Sequence, residues 1–99
     1  MENKLKKTGI ELIAEERQRQ IEEEGWTAEH DKQWEHGQLV KAAACYLARP
    51  SWVDTPLWPH WPFDISWWKP TPQDRIRELQ KAGALIAAEI DRLLKDESK

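Results

Sequence analysis

The sequence predicts a mainly α fold: a compact three-helix domain with one long Trp/Pro-rich loop packed on the helices. Three observations predict it. Two segments repeat apolar residues at helical spacing, an alanine-rich run of strong helix propensity lies between them, and no stretch shows the alternation of a half-buried strand.

The first helix is predicted over about 9–24. Thr8 followed by Glu11 forms a capping box, Ile10, Ile13, Ala14, Arg17 and Ile21 recur at helical spacing, and Gly25 supplies the left-handed residue that ends it. GWTAEHDKQWEHG is polar and aromatic together and reads as a loop with at most one helical turn, capped by Thr27 or Asp31. A second helix runs from about Gln33 to Arg49 and stops at Pro50. Residues 50–70 hold five of the six prolines and five of the seven tryptophans, Trp52, Trp58, Trp61, Trp67 and Trp68. So many indoles would leave large apolar surfaces in water, so the loop is expected to cover the helices. The last helix opens with Thr71 as N-cap, Pro72 at its first position and Asp74 at its third. Ile76, Leu79, Gly83, Ile86, Ile90 and Leu93 then give one apolar stripe to about Leu94, and Gly83, Ala84, Ala87 and Ala88 keep the helix thin for a close neighbour. Residues 1–8 and 95–99 are expected to fray, and 1–99 to form one domain.

Composition narrows the function classes. The net charge of −3 is too balanced for a protein that coats nucleic acid. A single cysteine, Cys45, makes neither an internal disulfide nor a thiolate zinc site; it reads as a small core residue in a reducing cytoplasm. No apolar run is long enough for a membrane span, and the polar start MENKLKKTG lacks the core of a signal peptide. Thin Gly/Ala surfaces also let such a chain form a homo-oligomer that completes its core.

His30, Asp31, His36 and His60 are metal-ligand types, but they lack ligand spacing and read as polar loop residues. The tryptophan loop is more informative. An indole stacks on a flat ring while a neighbouring cation meets phosphate, and Trp67-Trp68-Lys69 lies just before Arg75 and Arg77. The candidate binding residues are Arg17, Gln20, Trp26, Asp31, His36, Trp61, Trp68, Lys69 and Arg75. Trp26, Trp61 and Trp68 would stack, Arg17, Lys69 and Arg75 would neutralise phosphate, and Asp31 or His36 would hydrogen-bond a base or ribose. No catalytic residue, metal or cofactor is assigned.

The stretches AEERQRQIEEEGWTAEHD, AAACYLA, WPFDISWWKP and DRIRELQKAGALIAAEIDRL resemble a group of small uncharacterised proteins encoded by phages and prophages. Members often carry acidic residues where this chain has Lys32 and Gln38. The resemblance implies a role in the cytoplasm of an infected bacterium. Gly25-Trp26, Asp31, His36, Leu39-Val40 and Asp74-Arg75 are similar in order to features of ryanodine-receptor-repeat domains, with Gly37 in place of a proline. That likeness implies a small-ligand or nucleotide-binding module. The acidic first helix is also similar in outline to MazG-like nucleotide pyrophosphohydrolases, although Arg19 stands where a third glutamate is needed.

The leading expectation is therefore a phage-encoded binding protein that captures a nucleotide-like ligand such as a host immune signal, and the residues lean away from an enzyme without deciding against one. One alternative is a magnesium-dependent pyrophosphohydrolase using Glu11, Glu15 and Glu89. Another is an inhibitor that meets a host protein through the tryptophan loop.

Overall fold

The computed structural model describes residues 7–47, 61–71 and 73–97. Helix α1 spans Gly9–Glu24, α2 is a single turn at Ala28–Asp31, α3 spans Gln38–Leu47, a 3-10 turn occupies Ile65–Trp67, and α4 spans Arg75–Glu97. No strand occurs among the described residues, and the fold is mainly α.

Local chemistry sets the ends of α1. The Thr8 hydroxyl accepts from the Glu11 N–H, and the Glu11 carboxylate accepts from the Thr8 N–H at 2.8 Å. Thr8 thus caps the helix as its pairing with Glu11 predicted. Gly25 closes the helix at φ 75°, with its N–H on the Ile21 carbonyl. Thr27 caps the next turn by accepting from the His30 N–H. The second main helix begins at Gln38, later than Gln33, because Gly37 at φ 79° breaks the chain direction and two turns precede it. Its described part ends at Leu47, and the expected stop at Pro50 lies outside the described residues.

Helix α4 differs from expectation at both ends. Its N-cap is Asp74, whose carboxylate accepts from the Arg77 N–H at 3.1 Å; Thr71 stands outside the helix. A carboxylate there satisfies a free N–H and also faces the positive helix end. At the other end the helix continues through Asp96 to Glu97, helped by an Arg92–Asp96 ion pair at 3.6 Å.

Helices α3 and α4 form the core. Leu39, Ala42, Ala43 and Tyr46 pack on Ala82, Leu85 and Ala88, with Trp34, Trp61, Phe63 and Trp68 against this cluster. The described part of the loop, 61–71, therefore covers helices as expected; Trp52, Trp58 and His60 lie outside the described residues. Helix α1 meets α4 at the thin segment, where Ile13 fills the space beside Gly83. Gln80 donates to the Leu12 carbonyl, and Arg17 pairs with Asp91 at 3.2 Å. The large aliphatics of the predicted stripe turn outward, and only its Gly83 faces α1: α4 buries Ala82, Ala84, Leu85, Ala88 and Arg92. Small residues let α1 and α3 approach closely, so the thin side of α4 became the inner side.

Candidate functional site

One cleft gathers aromatic rings and cations. It encloses about 470 Å³. Helix α1 contributes Glu16, Arg19, Gln20 and Glu24, with Trp26 just past its end. Tyr46 comes from α3, Trp61, Phe63, Trp67 and Lys69 from the loop, and Arg77, Lys81 and Leu85 from α4. The volume falls in the range of small-molecule sites, roughly 300–1,000 Å³.

The rings form a continuous wall. Trp61 stands edge-on to Tyr46 and Phe63, with centroids 5.6 Å away in each case, and Trp67 lies 5.5 Å from Phe63 and 5.9 Å from Trp26. Two polar ties fix it. The Tyr46 hydroxyl accepts from the Lys69 N–H at 3.0 Å, and the Trp61 indole N–H donates to the Asp64 carbonyl at 3.0 Å. Burial pushes the Tyr46 hydroxyl pKa up, which keeps it neutral in this role.

The opposite wall is organised by Glu16, which is buried. Arg19 donates to it through Nε and Nη2, both at 3.0 Å, and Arg77 approaches through Nη1 at 2.7 Å. Burial alone would raise the Glu16 pKa, but hydrogen bonds and charge from Arg19 and Arg77 outweigh it and hold the carboxyl below its usual value. Lys81 donates to the Lys69 carbonyl and lies over the Tyr46 ring, 5.5 Å from its centroid. Desolvation and then the charge of Arg77 pull its pKa down. The cleft lining thus carries four cations, Arg19, Lys69, Arg77 and Lys81, against the carboxylates of Glu16 and Glu24. Its surplus is positive.

Of the residues expected to bind, Gln20, Trp26, Trp61 and Lys69 line the cleft. The others have different places. Arg17 is buried and donates to the Trp26 carbonyl at 2.8 Å, so it fixes the turn after α1. Arg75 donates to the Tyr46 and Leu47 carbonyls and so satisfies the C-terminus of α3. Trp68 packs on Tyr46 and Trp61, at 4.8 and 5.0 Å, without lining the cleft. Asp31 is buried behind the aromatic wall, 2.9 Å from His30 Nδ1, and lines a separate chamber of only about 10 Å³. His36 lies in the exposed turn before α3, where its N–H donates to Gln38.

Glu16, Arg19, Tyr46, Phe63 and Lys81 were not anticipated. The signal available was spacing: Glu16, Arg19 and Gln20 share a face of α1, and Arg77, Lys81 and Leu85 share a face of α4. The chain matches no family model, and no curated protein or solved structure is significantly similar to it. The site is therefore read from its own geometry.

The carboxylates considered for magnesium do not converge. Glu11 caps α1, Glu15 pairs with Lys7, and Glu89 pairs with Arg92 at 2.8 Å. Among the described residues no group of three His, Cys, Asp or Glu side chains has the placement to hold a metal ion. No described helix is long and apolar enough to cross a membrane.

Proposed function

We propose that the cleft binds a small, planar, negatively charged molecule of the nucleotide class and that the protein is a capture module. The observation that supports this reading is the pairing of an aromatic wall, Trp26, Trp61, Phe63 and Trp67, with a wall bearing Arg19, Arg77 and Lys81. Rings of this kind stack a base in a sequence-tolerant way. Guanidinium and ammonium groups meet phosphate oxygens through charge-assisted hydrogen bonds. The Glu16 carboxylate holds both arginines in place before a ligand arrives, which lowers the ordering cost of binding. With the resemblance to phage-encoded proteins, the reading extends to the removal of a signalling nucleotide of a bacterial host.

Native mass spectrometry of the protein with a pool of mononucleotides, cyclic dinucleotides and ADP-ribose-type compounds tests it. One intact ligand retained per chain is the expected result, lost in Lys81→Ala. Retention of nothing from the pool sinks the proposal, and conversion of a triphosphate to a monophosphate replaces capture with hydrolysis.

A further inference from the structure

We infer that the outward face of α4 is a self-association surface, covered by a second copy of this chain. The starting observation is an inversion of side-chain size. The aliphatic residues that α4 buries are three alanines, Ala82, Ala84 and Ala88, and one leucine, Leu85. Its large aliphatics lie elsewhere: Ile76, Leu79, Ile86, Ile90, Leu93 and Leu94 keep 42–57% of their surface exposed. A helix that turns alanines inward and isoleucines outward has a second packing partner to satisfy.

The stripe has the form of a helix-pairing seam. Ile76, Leu79, Ile86, Ile90 and Leu93 hold heptad positions of the kind that pack one helix against another, over about 25 Å of helix length, while at the intervening Gly83 position Ile13 of α1 packs in. These five exposed positions are all aliphatic. The charged residues of α4 turn to partners within the chain: Arg77 to Glu16, Asp91 to Arg17 and Arg92 to Glu89.

Area and chemistry select the occupant. Six side chains at about half exposure leave on the order of 500 Å² per copy, so two copies remove on the order of 1,000 Å², the lower bound for a biological interface and the size of a reversible pair. The exposed seam is uncharged and aliphatic, and a two-fold pair sets the same uncharged patch from one copy against that of the other with no charge left buried. Arg77, Lys81 and Leu85, which line the cleft, lie on other sides of α4, so pairing leaves the cleft open. This inference does not rest on the ligand reading.

Sedimentation velocity of the full chain from low micromolar to submillimolar concentration provides the test. The expected species has twice the 11.7 kDa mass of the chain. Ile86→Glu and Ile90→Glu are each expected to sediment as monomers with unchanged helical circular dichroism. Ile90→Ala, which adds no charge, should raise the dissociation constant about tenfold. Ile10→Glu, on α1 and 82% exposed, should leave the pair intact. A wild-type monomer at every concentration overturns the inference, as does a dimer that survives both glutamate variants. A monomeric wild type whose helix content falls in Ile86→Glu also overturns it, because the face is then covered from within the chain.

Discussion

Arg77 on α4 forms an ion pair with the buried Glu16 carboxylate on α1 at 2.7 Å, and the same carboxylate is held by Arg19 one turn along. One acid therefore joins two helices and fixes two guanidinium groups on one wall of the cleft. Removing it acts on fold and site together.

Glu16→Gln is predicted to lower stability by about 1–3 kcal/mol. Breaking a fully buried pair costs about 3–5 kcal/mol, and the partly exposed arginines reduce that figure by solvent screening. The pH dependence has a definite sign. The folded Glu16 pKa lies below the ordinary 4.5, so its contribution is present above pH 4.5 and is lost as the pH falls through the folded value. Urea denaturation at pH 7 and at pH 3 should therefore show a large gap between wild type and variant at pH 7 and a smaller one at pH 3. Equal gaps at both values would remove Glu16 as the source.

Lys81 lines the cleft over the Tyr46 ring and feels the charge of Arg77. Desolvation and Arg77 lower its pKa from 10.5, so the free protein loses this charge earlier than an ordinary lysine does as the pH rises. Anion affinity in the cleft is accordingly predicted to fall as the pH climbs toward 10.5. Lys81→Met should weaken binding roughly tenfold at pH 7, the loss of one charge-assisted contact, and flatten the pH profile. Calorimetric titration with a nucleotide from the retained pool measures both, and an unchanged profile in the variant would assign the titration elsewhere.

Much of the fold was legible because its signals are local. Thr8 with Glu11 and Gly25 bounded α1 correctly, since a cap depends on neighbours a few residues away. The inward side of α4 was not legible. Periodicity separates apolar from polar faces, but the choice between an alanine face and an isoleucine face depends on how closely α1 and α3 approach. The site shows the same division. Gln20, Trp26, Trp61 and Lys69 followed from residue type, whereas Arg17 and Arg75 bind backbone carbonyls inside the chain, a role that sequence does not distinguish from phosphate binding. Glu16 was not legible as a site residue because its partner Arg77 lies about sixty residues away in sequence.

Neighbouring tryptophans should behave differently. Trp67 lines the cleft and is 40% exposed, while Trp68 packs on Tyr46 and Trp61 against the core. Trp67→Ala is predicted to cost about 1–3 kcal/mol of ligand affinity, the stacking increment for one base, with little change in the urea midpoint. Trp68→Ala should instead cost about 2–3 kcal/mol of stability, somewhat below the range for a fully buried aromatic. Paired binding and denaturation measurements check the contrast, and a stability loss confined to Trp67→Ala would reverse the assignment.

The junction of α1 and α4 is tested at Gly83. A Cβ there would sit 2.6 Å from Ile13 Cδ1 and 2.8 Å from Cγ1, so the isoleucine would have to turn or α1 would have to move. Alanine is otherwise better than glycine in a helix interior by about 1 kcal/mol. Overpacking costs about 1–3 kcal/mol, so Gly83→Ala is predicted to be net destabilising by about 1 kcal/mol. Relief should come from the other side of the contact. Ile13→Val removes Cδ1, the nearer of the two atoms, and in the double variant its own cost should shrink because the deleted methyl no longer clashes. A double-mutant cycle in urea reads this coupling directly. Additive costs would mean that the two helices do not meet at this pair.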